Sequence, residues 1–546
     1  QESPGDMYLY QFIRGGAPQQ LRRILIMASI SGIANAYLIE VINTAAGSAS
    51  EGKKIGMQFF LLYLLAFSIY YVTNKTALTV ANVTIEEMLL ELRLRIVDKV
   101  RQADLLAVDD LGRGRLFTTL TQETNHLSQS FPVIVNAASQ QVLLVFCLLY
   151  IAYLSWAAAA VVVGVSVLSG FGFGFFRKSL DSEMREVTLR ESQLLDSLNH
   201  ILDGFKEIKV NRKKSQAVYG SFSDIAQQVR RVLVGIGGKW IFLMMFANVY
   251  LYVLLGVLCF VLPQFLPNYN LVAFKVTSAA LFCVGPIAQA AMVAPMFIKA
   301  NVGLEQIAKM EASLDEKLPE TPLEVEPYDF KDFKCVNYQG MVFSYRDAAE
   351  RPTFTVGPVD LKVQRGELLF LVGGNGSGKS TVLKLLTGLY KPDSGLIDID
   401  GLAVDRTAVR DMRELFSVIF GDFHLFDRLY GLEGVEQERV QELIDRMELT
   451  DKVTFEDGKF SNLNLSTGQR KRLALIAALL EDRPIYIFDE WAADQDAHFR
   501  AIFYEEILKD LKARGKTVIA VTHDDRFFHV ADRVVQLDLG KMVVPA

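Results

Sequence analysis

The sequence predicts two architectures in one chain: a six-helix α-helical transmembrane domain, then an α/β P-loop nucleotide-binding domain. Three observations lead there. Six long apolar runs, nearly free of charge, fill the first half at residues 24–46, 55–72, 132–154, 156–176, 241–262 and 276–298. Each approaches the ~20 residues needed to cross a hydrocarbon core as a helix. In the second half, Gly373-Gly374-Asn375-Gly376-Ser377-Gly378-Lys379-Ser380 stands between a strand-like apolar run, Leu368–Val372, and a helix-like run beginning at Thr381. Between the halves, Asp315-Glu316-Lys317-Leu318-Pro319-Glu320-Thr321-Pro322 is charged and Pro-containing, as linkers are. The boundaries drawn are 1–310 for a membrane domain with two long cytoplasmic helical extensions, 311–330 for the linker and 331–546 for the nucleotide domain.

A chain of 546 residues exceeds what one core serves. Half its residues are hydrophobic, and a net charge of -6 gives no electrostatic footing for nucleic acid, so no such partner is expected. Of the four cysteines, Cys147, Cys259 and Cys283 lie in apolar runs and none forms a CxxC pair with Cys335 or another, which argues against a disulfide framework or a structural zinc site. The first residues lack the basic, apolar, small-residue order of a signal peptide. Met7, Tyr8, Leu9, Phe12 and Ile13 interleave with polar residues. That pattern fits a short amphipathic segment on a membrane face, or a frayed terminus.

The connections between the apolar runs are unequal. Those at 47–54, Ser155 and 263–275 are short and carry only Lys53, Lys54 and Lys275 as cations. Those at 73–131 and 177–240 are long and basic, with Arg93, Arg95, Lys99, Arg101, Arg113, Arg115, Arg177, Lys178 and Lys206 among their cations. Basic residues favour the cytoplasm, so both termini and both long connections are assigned there. Residues 85–103 and 183–202 repeat apolar positions three and four apart, which predicts helices running on from the spans. The chain reverses near Asp109–Gly114 and Asp203–Lys209, making two tips that suit docking of another domain or simply end solvated hairpins. Glu40, inside the first run, either lines a path for a polar or cationic substrate or sits solvated at the outer interface. Pro286 and Pro295 either kink the last span or are carried in it.

The Gly-rich loop has a direct chemical reading. Gly373, Gly374, Gly376 and Gly378, with Asn375 and Ser377, let backbone N–H groups turn on phosphate oxygens. The following helix adds its positive dipole end. Lys379 can reach the β- and γ-phosphates, Ser380 can place its hydroxyl on Mg²⁺, and Thr381 opens the helix. Further along come Leu465-Ser466-Thr467-Gly468-Gln469, then Ile485-Tyr486-Ile487-Phe488-Asp489-Glu490 with Asp494, then Val521-Thr522-His523. With the loop, these resemble the nucleotide-binding domain of ATP-binding cassette (ABC) transporters, and the six runs with long inward helices resemble that family's half-transporter exporters. The resemblance covers essentially the whole chain.

It implies ATP and Mg²⁺ as cofactors. Asp489 is expected to hold the metal, Glu490 to activate water and His523 to contact the γ-phosphate. Tyr345 would stack on adenine, while Ser466, Gly468, Gln469 and Asp494 complete the nucleotide site. In the family the Ser466 segment faces ATP held by a second subunit, so a homodimer is implied. Three departures stand out: Gly421 occupies the place of a metal-binding glutamine, with Asp422 as a candidate substitute; Thr467 replaces a glycine; and Trp491-Ala492-Ala493-Asp494 replaces a run of small residues. The stretch from Gly421 to Leu465 is also short for an exporter.

Phe423-His424-Leu425-Phe426-Asp427, Asp489–Asp496 and Thr522–Phe528 resemble a bacterial branch that exports cyclic peptides, nonribosomal peptides, peptide siderophore precursors and microcins. The implied activity is ATP-driven export of a peptide-like molecule across the bacterial inner membrane by alternating access, with membrane lipid around the spans. The alternatives are a lipid or glycolipid flippase and an ATP-gated membrane regulator. Glu490 argues against a site that hydrolyses little, and the six runs argue against soluble DNA-handling ATPases.

Overall fold

A computed structural model of the chain describes residues 8–50, 52, 54, 56–266, 269, 272–316, 328–347, 349, 351–405 and 407–543. Met7, Lys53 and most of the expected linker, 317–327, lie outside the described residues, as do the side chains of Arg113, Arg115, Arg177 and Lys178. The chain divides into two compact units, Gln1–Arg101 with Leu111–Asp315, and Gln102–Asp110 with Glu316–Ala546.

Mostly long helices fill the first part of the chain: α1 (Tyr8–Gly16), α2 (Pro18–Ser50), α3 (Met57–Gln102), the short α4 (Leu105–Leu111), which falls almost wholly in the second unit, the short α5 (Arg113–Thr118), α6 (Thr124–Leu154), α7 (Trp156–Asp203), α8 (Phe205–Val210), α9 (Arg212–Gly256), α10 (Leu262–Phe265) and α11 (Ala273–Glu316). The apolar runs of the sequence fall in helices, the second from Met57 onward in α3 and the fifth running from α9 through a π-turn into α10. Among the described residues, Pro18–Ala49, Met57–Gln102, Leu116–Leu154 and Ala273–Ala290 are long and apolar enough to cross a membrane. Both predicted extensions are present, since α3 and α7 continue unbroken far beyond their apolar parts. Ser155 ends α6 and caps α7, its Oγ accepting the Ala158 N–H, which explains so abrupt a turn between two spans. The prolines of the last run are carried without a break in α11. The N-terminal segment is helical, with Leu9 buried and its N–H donated to Asn301 Oδ1 at 3.1 Å. Near the inner ends, Arg95 pairs with Glu311 and Lys99 with Asp315, each at 2.7 Å, joining α3 to α11.

The segment Gln102–Asp110, drawn with the membrane domain from sequence, clusters with the second unit. Leu105 and Leu106 pack on that unit's core, a burial that local helix periodicity cannot announce. The segment leading into the predicted reversal at Asp109–Gly114 is thus part of the second unit up to Asp110.

The second unit is α/β. One sheet runs β2 (Pro352–Gln364), β1 (Cys335–Arg346), β4 (Ser394–Ile399), β5 (Leu402–Ala403), all antiparallel. The other runs β12 (Lys541–Val543), β11 (Arg533–Asp538), β3 (Leu368–Gly373), β10 (Thr517–Val521), β9 (Ile485–Asp489), β6 (Phe416–Ile419), parallel from β11 to β6. Strands β9 and β10 are buried at every position, as parallel strands covered on both faces must be. Two apolar clusters flank the sheet, one containing Leu369, Val382 and Ile487, the other Phe370, Ile476 and Phe488. Successive side chains of one strand thus feed opposite cores. Helix α12 (Lys379–Leu386) follows β3, and α13 (Ala408–Arg413) precedes β6. Between β6 and β9 lie only α14 (Gln437–Arg446), the hairpin β7–β8 (Phe455–Glu456, Lys459–Phe460) and α15 (Thr467–Glu481), the compact insertion that the sequence predicts.

Candidate active site

Strands β3, β10 and β9 are neighbours in register, Val521 lying beside both Leu371 and Asp489. Their carboxyl ends therefore bring Gly373–Ser380, His523 and Asp489-Glu490 to one edge of the sheet, the usual ligand edge of a parallel sheet. The loop after β3 requires glycine where backbones touch. Gly373 has φ +152, and a Cβ there would lie 2.2 Å from the Leu537 carbonyl oxygen; Gly378 has φ +99, and its Cβ would meet Val356 at 2.9 Å. Gly374, Asn375 and Gly376 form the exposed crest, while Ser377 is buried with an unpartnered Oγ among the described residues.

Lys379 is buried at the start of α12, and its Nζ donates to the carbonyls of Gly373 and Gly374, each at 3.0 Å. Ser380 Oγ donates to Asp489 Oδ2 at 3.0 Å. Asp489 is buried, and that burial pushes its carboxyl above the ordinary range. The Ser380 hydroxyl and the Gly421 backbone N–H pull it back, and Lys379 helps. A hydroxyl and a carboxylate converging beside a phosphate loop are hard oxygen donors of the kind Mg²⁺ takes.

Glu490 follows with φ 49, ψ 38, a left-handed conformation unusual outside glycine. Its Oε1 lies 3.0 Å from His523 Nε2 and 3.7 Å from Lys379 Nζ. A carboxylate thus stands between an imidazole and an ammonium at the sheet edge that carries the loop. Tyr345, half-buried, shares a hydroxyl contact of 3.1 Å with Thr381 Oγ1 and packs edge-on against Phe343 and Tyr390. Asp422 is exposed, one residue beyond Gly421.

The segment before α15 forms a capping box: Ser466 Oγ accepts the Gln469 N–H, and Gln469 Oε1 accepts the Ser466 N–H at 3.1 Å. Ser466 and Thr467 are exposed at a helix start, where free N–H groups and the dipole favour an anion. Gln469 spends its amide oxygen on this cap. Gly468 lies against the next loop, where a Cβ would come 2.6 Å from the Asp494 carbonyl oxygen.

Residues 356–493 match the ABC transporter family model, and residues 24–282 match the ABC transporter transmembrane region. The chain is 32% identical over 533 residues to the ATP-binding protein SyrD of Pseudomonas syringae pv. syringae, covering 95% of this chain and 93% of that one. The chain belongs to the ABC exporter family. It is a multi-pass membrane protein with a cytoplasmic ATP-binding domain, and its ATPase is coupled to transport. This exporter is also 24% identical over 565 residues to the ATP-dependent lipid A-core flippase of Haemophilus ducreyi, covering 95% and 91% of the two chains. In fold it is similar to a bacterial Atm1-family ABC exporter with ATP bound, at TM-score 0.74 and 18% identity over 97% of this chain and 95% of that one.

Two features of the exporter's site escape motif reading. Gly421 lacks a side chain, yet its backbone N–H lowers the Asp489 carboxyl against the upward push of burial. Lys471 and Arg472 are both buried beneath the loop 490–496: Lys471 pairs with Asp494 at 2.7 Å, and Arg472 pairs with Asp496 at 2.8 Å and stacks on Phe499. Asp494, expected at the nucleotide, is thus engaged by its own subunit's lysine. Asp496 caps α16 (Ala497–Ile502) through the Phe499 N–H. The signal available was the excess of basic residues directly after Gln469, which a signature motif alone does not explain.

Proposed function

We propose that two copies of this chain form an exporter that drives a peptide-like substrate, of the cyclic or nonribosomal class, out of the cytoplasm across a bacterial inner membrane. The observation that carries the peptide reading is the stretch Asp489–Asp496, in which Trp491 and Asp494 replace small residues as in the peptide-exporting branch it resembles. The greater identity to SyrD than to the lipid A-core flippase supports separation from the flippases. A flippase remains the second reading, favoured by the near full-length match to that enzyme.

In this reading Lys379 and the loop N–H groups hold the phosphates, Tyr345 holds the base, and Ser380 with Asp489 holds Mg²⁺, with Asp422 as a further candidate ligand. The metal would supply neutralisation of charge on the phosphates. Glu490 takes a proton from water or orients it, and His523, 3.0 Å away, fixes that carboxylate. The exposed N-terminus of α15 serves ATP on the opposite copy, which is why the sites need a dimer. Glu40, exposed in α2, is the proposed polar contact for the substrate.

Reconstituted protein tests this directly. Amphiphilic cyclic peptides should stimulate ATP turnover while glycolipids do not. Stimulation by lipid A-core glycolipid alone would favour the flippase. Glu40→Ala should lose peptide stimulation, and unchanged stimulation would remove Glu40 from the path.

A further inference from the structure

We infer that Lys471 is a positioning residue for hydrolysis, holding the backbone of Glu490 so that its carboxylate stays aimed into the phosphate site. The inference rests on Glu490 acting as the base, as proposed above, and assigns a role to the residues by which this chain departs from its family.

Glu490 sits in the left-handed region at φ 49. A non-glycine residue stays there only when its surroundings over-determine it. Besides the Ala493 N–H at 3.3 Å, the Glu490 carbonyl oxygen takes a side-chain donor, Lys471: the buried ammonium donates to it at 2.7 Å and pairs with Asp494 Oδ2, also at 2.7 Å. A buried cation must be matched by charge and hydrogen bonds, and Asp494 supplies the charge from the surface side. Lys471 thus grips both ends of the short turn Trp491–Asp494.

The rest of the turn is fastened to the same helix. Trp491 Nε1 donates to the Lys471 carbonyl at 2.9 Å, and its ring stacks on Phe503 at 4.4 Å. Gln495 Nε2 donates to the Gly468 carbonyl at 3.0 Å, and Arg472 Nε donates to Gln495 Oε1 at 2.9 Å. Trp491 therefore fills the space beside α15 and fixes the peptide from which Lys471 reaches out. Asp494 gives the ammonium its counter-charge. Together these contacts tie the first turn of α15 to the backbone of the catalytic carboxylate.

The test is ATP turnover against ATP concentration, without peptide, for the full chain in lipid. Lys471→Met should lower kcat by about 10-fold or more while KM and nucleotide binding stay within about 2-fold, as expected when a group is displaced from its reacting geometry. Lys471→Arg keeps the donors and should recover most of the rate. Asp494→Asn should give a smaller loss of kcat at unchanged KM, and the double variant should lose less than the two single losses combined. A kcat for Lys471→Met within about 2-fold of wild type would overturn the inference, as would a parallel loss of ATP binding, the mark of a merely structural lysine. Should Lys471→Met not fold, Asp494→Asn decides: an unchanged kcat overturns the inference. Glu490→Gln is the control. If it turns over normally, the base assignment fails; if it is inactive while Lys471→Met is normal, only the present inference fails.

Discussion

The two units treat apolar side chains in opposite ways. Helix α3 turns Phe60, Leu61, Leu65 and Val72 outward, Leu61 and Leu65 being 60% and 59% exposed. In the nucleotide unit β9 and β10 are wholly buried, and its apolar residues converge on two cores either side of one sheet. A face like that of α3 has no stable place in water but matches hydrocarbon, whereas the sheet must exclude water on both sides. One chain is thus written for two solvents. The difference also divides the labour of side chains: the candidate site gathers at one sheet edge, while the helical unit supplies the long apolar spans.

The largest effect should come from the sheet edge. Glu490→Gln should retain ATP binding and cut hydrolysis by about 10²–10⁴-fold, the usual worth of a positioned general base. Near-normal turnover in a phosphate-release assay would remove Glu490 from its role. Next comes the lipid face. Leu65→Arg should cost about 2.5–3.5 kcal/mol of membrane insertion, while Leu396→Lys on the exposed face of β4 should stay within about 0.5 kcal/mol. Equal tolerance of the two, measured as the membrane-integrated and folded fraction, would break the contrast between the units. Lys379→Ala removes a charged donor from the loop and should weaken ATP binding by about 10–100-fold in equilibrium titration.

Asp489 gives the smallest effect and a sign that can be checked. Burial raises its carboxyl in the folded protein, so the folded state binds this proton more tightly than the unfolded chain. Stability from this group is therefore gained as pH falls through the folded-state pKa and is fully present below the unfolded value. Asp489→Asn should raise the nucleotide-free melting temperature by about 2–4 °C at neutral pH, and lose that advantage on acidification. A lower melting temperature would show that Ser380 and Gly421 outweigh the cost of burying the charge.

Legibility in the sequence follows the same division. Apolar runs and strand–loop–helix order are local patterns, so the spans, the long extensions and the loop from Gly373 to Ser380 were readable in advance. The approach of Ser380 to Asp489 followed from strand-end motifs of a known type. What stayed hidden depends on contacts between segments distant in the chain. The Gly421 backbone N–H acts on the Asp489 carboxyl, which no side-chain reading anticipates. Lys471 meets Glu490 only once α15 packs beneath the β9 turn. Leu105 and Leu106 look like ordinary helix positions until they pack on the core of the second unit, to which they belong.

The central proposal is that two copies share their ATP sites, and mixing inactive copies tests it most directly. Lys379→Ala should disable a copy's own loop. Ser466→Glu places a negative charge at the start of α15, where the helix dipole tolerates it but a phosphate does not. Each variant alone should be inactive. Assembled together in lipid, shared sites restore turnover, because one site in each mixed dimer escapes both changes. Sites confined to single chains leave every copy disabled, so a mixture as inactive as its parents would contradict the proposal.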